Sequence, residues 1–286
     1  MTGAAFDVLA ARYEALWSAT SIGRSQREQV WRWVDPLFRH GQRVLDLGCG
    51  IGDDALHLMD RGIAVEGIDA SAEMVREANA RGVRARRLAV EELSAVDGRF
   101  DGAISNFGAL NCVEQLQPVA EELGRLIVPG GALAVCVIGR ACAWEVAHYF
   151  PRKKAFRRWF ATHCGAGFQP AVDFQSAWTR AERTVREKIG SRVGRRIENP
   201  PQVKNVPHKS SEIHVYYPTV RQLARAFEPR FRLIRWTGIG LFVPPSYITG
   251  HSPRAIARFS VLDRRLAQLP IARAMADHRL LIFRRV

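Results

Sequence analysis

Between residues 43 and 138, short apolar runs alternate with amphipathic segments: RVLDL, DALHLMDRG, AVEGID, SAEMVREANARG, RARRLAV, FDGAISNF, VAEELGRLIVPGG and ALAVCVIG. Short apolar runs fit buried strands, and the stretches between them carry apolar residues at helical spacing. Alternation of this kind specifies βαβ units and a mostly parallel sheet, so the expected class is α/β. Gly62, Gly82 and Gly130-Gly131 stand where helices should end, and Ser71 is placed to cap the second helix.

The flanking text differs. Residues 1–42 read as a helical cap with an apolar stripe through Val30, Trp31 and Val34, which Pro36 interrupts. Residues 139–212 are Arg-rich and aromatic, with a loop at ENPPQVKNVPHKSS, and read as an insertion over the sheet. After it, HVYYP, the helix TVRQLARAFEP, FRLIRWTGIG and DHRLLIFRRV return to α/β text and close on a hairpin of two late strands. The expected organisation is an N-terminal helical cap (1–42), a ligand-binding core (43–138), a basic aromatic lid (139–212) and the C-terminal part of the sheet (213–286).

The net charge of +14 is uneven: −5 over residues 1–138 and +19 over 139–286. Because 37 of the 42 cations are Arg, a trait that genome composition also produces, high basicity alone argues weakly for nucleic acid. Five cysteines with no CxxC pair fit a reduced, cytoplasmic chain and no metal site. Asp7, Arg12 and Glu14 break any signal-peptide core, and no uncharged apolar run reaches the roughly 18 to 20 residues of a membrane span.

The chemistry begins at Val44-Leu45-Asp46-Leu47-Gly48-Cys49-Gly50-Ile51-Gly52, a buried strand entering a glycine turn, followed by Asp53 and Asp54. A dinucleotide site wants G-x-G-x-x-G and room for a pyrophosphate; this turn is G-x-G-x-G framed by three carboxylates. Those charges repel phosphate and suit an ammonium or a sulfonium. Twenty-one residues beyond Gly48, the run Ala64–Ile68 ends in Asp69, a carboxylate placed to take both hydroxyls of a ribose or, less specifically, to cap a helix that Ser71 caps better.

VLDLGCGIG followed by GIDAS, with Met74 three residues later, resembles the class I S-adenosylmethionine-dependent methyltransferases of the small-molecule type. The resemblance implies a Rossmann-like fold, with a mostly parallel seven-stranded sheet, helices on both faces and, here, an inserted helical lid. It implies that Asp46 and the backbone of Gly48 and Gly50 hold the methionine end of the cofactor, that Asp69 takes the ribose, and that Ala70 and Met74 flank the adenine. Tyr13, in ARYEALW, matches a family tyrosine that covers the cofactor, and Arg24 is positioned to pair its carboxylate. Where relatives read G-D-A-x-x-L, this chain has Leu88-Ala89-Val90-Glu91-Glu92-Leu93, so either Glu91 and the Val90 N–H stand in for the missing aspartate at Ala89 or Glu91 is a solvated residue at a helix start. Asn106 and Phe107, ending the fourth strand, fall where the family places residues between cofactor and acceptor.

Acceptor candidates come from Trp144, His148 and Tyr149 and from His214, Tyr216 and Tyr217, with His148 and His214 as general bases. Trp144 and His148, four apart, share a helix face. The groups Arg152-Lys153-Lys154, Arg157-Arg158 and Arg192–Arg196, interleaved with Trp159, Phe160 and Trp178, admit a solvated face, a surface for anionic lipid or an acidic acceptor, or an RNA surface. No N/D-P-P-F/Y/W ends the fourth strand; Asn199-Pro200-Pro201-Gln202 lies in the insertion, and Asn111-Cys112 lacks the proline of a cytosine-C5 nucleophile, which weighs against nucleic acid. The expected function is methyl transfer from S-adenosylmethionine to a small-molecule or lipid-like acceptor at oxygen or nitrogen, with possible peripheral contact to an anionic membrane surface. RNA methylation and a non-catalytic module of the same fold are the competing readings. Oligomeric state is left open.

Overall fold

The computed structural model describes residues 3–140, 142–149, 215–246, 248 and 250–286. The chain starts with α1 (Gly3–Tyr13) and α2 (Ser21–Val34), joined by one π-helical turn at Glu14–Ser18. It continues β1 (Arg43–Leu47), α3 (Asp53–Met59), β2 (Ala64–Asp69), α4 (Ala72–Ala80), β3 (Arg84–Arg87), β4 (Phe100–Ser105), α5 (Leu116–Leu126) and β5 (Ile127–Ile138). Then follow α6 (Ala143–Tyr149), α7 (Val220–Phe227), β6 (Phe231–Ile239), α8 (Pro253–Leu266), α9 (Pro270–Ala274) and β7 (His278–Arg285). The seven strands form one sheet in the order β3-β2-β1-β4-β5-β7-β6. β1 to β5 are parallel, and β7 runs antiparallel to both β5 and β6.

The central strands of the sheet are buried on both faces, and strand alternation sorts their side chains. Leu45, Leu47, Ala103, Leu133, Val135 and Val137 point into one apolar layer with α5 and α7. Val44, Ile104, Ala134 and Cys136 point into the other, against Val30 and Val34 of α2 and Leu58 of α3. Asp46, two residues after Val44, therefore projects towards the α2–α3 side, which sets the chemistry below. Caps read as expected: Ser71 Oγ accepts from Met74 N at 3.1 Å, and Thr20 Oγ1 accepts from Gly23 N at 3.0 Å.

Two local expectations differ. α5 ends at Leu126, and Gly130-Gly131 lies within β5, where the register with β4 shifts between Phe100 and Gly102. β6 and β7 pair antiparallel, yet they are not a hairpin, because α8 and α9 lie between them in sequence. As expected, the α-helix stops short of Pro36, which falls in a separate 3-10 turn over Asp35–Leu37, where a proline is tolerated in a first turn. Most of the expected lid, including the basic groups from Arg152 to Arg196, lies outside the described residues.

Candidate cofactor and acceptor site

The C-terminal ends of β1, β2 and β4 converge with the start of β7, which antiparallel pairing brings to the same edge: Ile138, ending β5, pairs with His278. At the end of β1 the turn takes positive φ at Gly48 (70°), Gly50 (53°) and Gly52 (84°). A Cβ at Gly48 would stand 2.3 Å from Ala109 Cβ and one at Gly52 2.7 Å from Val83 Cγ2, whereas one at Gly50 would meet open space. The turn is tied to β2: Gly48 N and Cys49 N donate to Ile68 O at 2.8 and 3.0 Å, and Gly50 N donates to Asp69 Oδ2 at 2.9 Å. Asp69 Oδ1 accepts from Ser71 N at 2.9 Å. Burial pushes the Asp69 carboxyl above the usual range, although these two N–H groups pull the other way.

Asp46 is 1% exposed, and its Oδ2 has no hydrogen-bond partner. Burial, with the charges of Asp54, Asp69 and Asp53, pushes its carboxyl well above the usual range against the opposing pull of Arg27. A buried acceptor left unpaired costs free energy unless something meets it. Arg27 of α2 neutralises the other two acids. Its Nη1 lies 2.5 Å from Asp54 Oδ2 and its Nη2 3.3 Å from Asp53 Oδ2. Asp54 Oδ1 also accepts from Trp31 Nε1 at 2.6 Å, and Asn106 Nδ2 lies 3.2 Å from both Asp54 oxygens. Asp53 accepts from Ser18 Oγ and from Arg81 Nη1. Burial alone would raise Asp53, but Arg27, Ser18 and Arg81 outweigh it and hold it low. Burial disfavours the Arg27 charge, yet Asp54 and Asp53 more than compensate. Arg27 Nε remains buried without a partner.

α1 lies across this edge. Ala10, Ile51 and Met74 form a small apolar cluster with Phe6 and Tyr13, and Asp7 Oδ1 accepts from Ser71 Oγ at 2.6 Å. Burial pushes the Tyr13 hydroxyl up to about 12; Arg27 opposes this, and Asp53, Asp54 and Asp69 add to it. On the β4 side Phe107 adopts φ 49°, a conformation rare for a bulky residue and common at functional sites. Its ring meets Trp17 edge-on at 5.5 Å and His278 at 5.1 Å, with the Arg27 guanidinium 5.1 Å away. His278 Nδ1 is 3.2 Å from Asp277 Oδ2, which in turn accepts from Gln26 Nε2 at 3.2 Å.

The structure thus brings together Tyr13, Asp46, Gly48, Gly50, Asp69, Met74, Asn106 and Phe107. Ala70 is adjacent, its carbonyl 3.4 Å from Arg87 Nε. Arg24 is elsewhere: it is exposed, and its Nη1 donates to Ala19 O at 2.6 Å, so the arginine among the carboxylates is Arg27, one turn on. Val90 is buried, but Glu91 is exposed in the 3-10 turn Val90–Ala95, where the Glu92 carboxylate accepts from Ala89 N at 2.9 Å. Trp144 Nε1 donates to Phe242 O at 3.0 Å and its ring packs on His251 and Phe259. Tyr216 N donates to Asn111 O at 2.6 Å, and Asn111 Nδ2 returns a bond to Tyr216 O at 2.6 Å. The Tyr217 carbonyl accepts from Arg140 Nε at 2.7 Å, and its hydroxyl is pushed up by burial and by the charges of Glu145 and Asp277. His148 and Tyr149 belong to α6, whose last side chains lie outside the description, and His214 lies outside the described residues. Sequence reasoning missed Arg27, Trp17, Asp277 and His278. Arg27 had a signal, since it stands three and seven residues before the buried Val30 and Val34 on one helical face. His278 had none, because only the strand order brings it here.

A methyltransferase-domain family matches residues 44–131, the span that holds the glycine turn, Asp69 and Phe107. The chain carries a class I S-adenosylmethionine-dependent methyltransferase domain. The demethylmenaquinone methyltransferase of Thermus thermophilus is 37% identical to it over 141 residues, 46% of this chain and 62% of that protein. The malonyl-[acyl-carrier protein] O-methyltransferase of Enterobacter lignolyticus is 35% identical over 98 residues, 34% of this chain and 39% of that protein. The first few curated relatives are thus matched over about half their own length. An S-adenosylmethionine-dependent methyltransferase of Mesorhizobium loti shares the fold at a TM-score of 0.52 and 18% identity, over 89% of this chain and 97% of that one. The cofactor of the methyltransferase domain is S-adenosylmethionine, and the site fits it: the unpaired Asp46 oxygen suits an ammonium, Gly50 opens on free space, and Asp69 stands at the end of β2.

Proposed function

We propose that this protein transfers a methyl group from S-adenosylmethionine to a small-molecule or lipid-like acceptor, at oxygen or nitrogen. The observation that carries the reading is the buried, unpartnered Asp46 Oδ2 beside a glycine turn that is bonded to Asp69. Relatives named for demethylmenaquinone and for malonyl-[acyl-carrier protein] support an acceptor other than nucleic acid.

When bound, S-adenosylmethionine supplies a methyl group already activated by its sulfonium. Asp46 and the Gly48 and Gly50 backbone receive the ammonium end, and Arg27 Nε, in place of Arg24, is the donor left for the carboxylate. Asp69 takes the ribose hydroxyls. Ala70, Met74 and Val90 border the adenine, and Tyr13 closes over it from α1. Phe107, Trp17 and Tyr217 bound the acceptor, and positioning of this kind supplies roughly 7–11 kcal/mol of the barrier. Held in line with that methyl group, an acceptor would need from this chain only a base to take the proton it gives up on transfer. His278, packed edge-on against Phe107, is that base among the described residues, and His148 and His214 are the other candidates.

Titration calorimetry of S-adenosylmethionine and S-adenosylhomocysteine, with NADH as control, tests the cofactor reading. Micromolar binding of the adenosyl ligands alone is expected, and Asp69→Ala should weaken it by tenfold or more (about 1.5–3 kcal/mol per charged hydrogen bond). If folded, ligand-free protein binds neither, the protein is a non-catalytic module of this fold. Once labelled methyl groups identify an acceptor, the pH profiles of His278→Asn, His148→Asn and His214→Asn assign the base: the responsible variant loses the rise of rate with pH that the other two retain.

A further inference from the structure

The outer surface of α8 and α9 mixes arginine with aliphatic side chains and shows no exposed carboxylate. Arg254, Arg258, Arg264 and Arg265 are exposed on α8 together with Val261 and Leu262, while the only acid of the helix, Asp263, is turned inward. Past its end Leu269 and Ile271 are 53% and 84% exposed, and Ile234 on the edge strand β6 is 49% exposed. Of the six most exposed large apolar side chains among the described residues, these five lie on α8, α9 or the β6 edge, and the sixth is the terminal Val286. Between the edge and α9 runs a cleft of about 360 Å³ lined by Trp33, Ile234, Trp236, Gln268 and Arg273. Arg235 lies 4.7 Å over the Trp33 ring and Arg273 4.0 Å over Trp236.

A cluster of exposed aliphatics marks an interaction site. Arginines around it, with tryptophans at the rim, are the chemistry of a helix lying on a lipid headgroup layer. An RNA backbone would use the arginines but gain nothing from Ile271 and Leu269. Strand addition by a protein is opposed by the bulge between Leu233 and Arg235, which turns Ile234 and Arg235 both outward and blunts the edge. The inner side of α8 is tied to the domain: Asp263 accepts from Leu241, Phe242 and Val243 N–H at 3.0, 2.7 and 3.1 Å, and Phe259 packs on Trp144.

We propose that α8, α9 and the β6 edge rest on an anionic lipid bilayer, with Ile271 and Leu269 entering the acyl boundary and Arg258 and Arg265 meeting headgroup phosphates. These residues are distinct from the basic groups of 139–212, and the proposal stands whether or not the protein transfers a methyl group.

The test is co-sedimentation of the full chain with phosphatidylcholine vesicles, with and without phosphatidylglycerol. Wild type should bind only the anionic vesicles, and less so in high salt. Leu269→Asp/Ile271→Asp and Arg258→Glu/Arg265→Glu should each lower the partition coefficient about tenfold or more while leaving the melting temperature unchanged. Should the aspartate pair fail to fold, Leu269→Ser/Ile271→Ser replaces it. No anionic preference in wild type overturns the proposal. So does wild-type binding in both double variants, which assigns the lipid contact to 139–212. Loss of single-stranded RNA binding in the glutamate pair, with vesicle binding unaltered in the aspartate or serine pair, makes the face an RNA surface instead.

Discussion

Asp46 is held in the folded chain at a cost, and its substitution should separate stability from binding. Its folded carboxyl is raised above the unfolded value, so from about pH 4 upward the native state keeps a proton that the unfolded chain has lost, and stability falls as pH rises into the raised range. Asp46→Asn should remove that slope and stabilise the free protein by roughly 1 kcal/mol, while weakening S-adenosylmethionine; thermal melts across pH, with and without ligand, read both. Asp53 has the opposite sign: its depressed value gives stability that is present above about pH 4 and lost as pH falls. Arg27→Ala leaves both acids buried without their cation and should cost about 3–5 kcal/mol in denaturant unfolding, with Arg27→Lys recovering part.

At the scale of elements, two ties hold the site's rim. Asp263 collects three backbone N–H groups of the 241–243 turn and Gln29 Nε2 of α2, a set that keeps it buried on α8. Asp263→Ala should cost about 2–4 kcal/mol and release that turn, seen as faster hydrogen exchange at 241–243 before global unfolding. α1 covers Ile51 and Met74 through Phe6, Ala10 and Tyr13, and Asp7 fastens it to the α4 N-terminus. An adenosyl ligand beneath α1 adds contacts to it, so proteolysis between α1 and α2 should slow when the ligand is present.

For the whole molecule, the seven strands among the described residues form one sheet between two apolar layers, and the residues assigned to the cofactor, from Tyr13 to Asn106, all precede the basic segment in the chain. Replacing 150–214 by a flexible linker should leave S-adenosylmethionine affinity within about threefold, since loop-closure entropy changes slowly with length. Acceptor turnover should be lost, because the segment from which the sequence draws an acceptor lid is gone. Calorimetry on the shortened chain, beside a methyl-transfer assay, checks both. No helix among the described residues is long and apolar enough to cross a membrane.

The alternation of apolar runs and the turn at Gly48–Gly52 made the parallel core, the glycine cradle and the place of Asp69 legible in the sequence, because strand period and positive φ are local constraints that residue type reports directly. Met74 and Tyr13 were legible by resemblance. Tertiary structure decided what depends on distant elements meeting. It placed Arg27 rather than Arg24 among the carboxylates, since helix rotation selects which of two arginines faces inward. It brought the start of β7, and with it His278, beside Phe107, since strand order and antiparallel insertion are set by packing of the whole sheet. It set Trp144 against α8, because a Trp ring is equally suited to core and pocket until a partner surface is built.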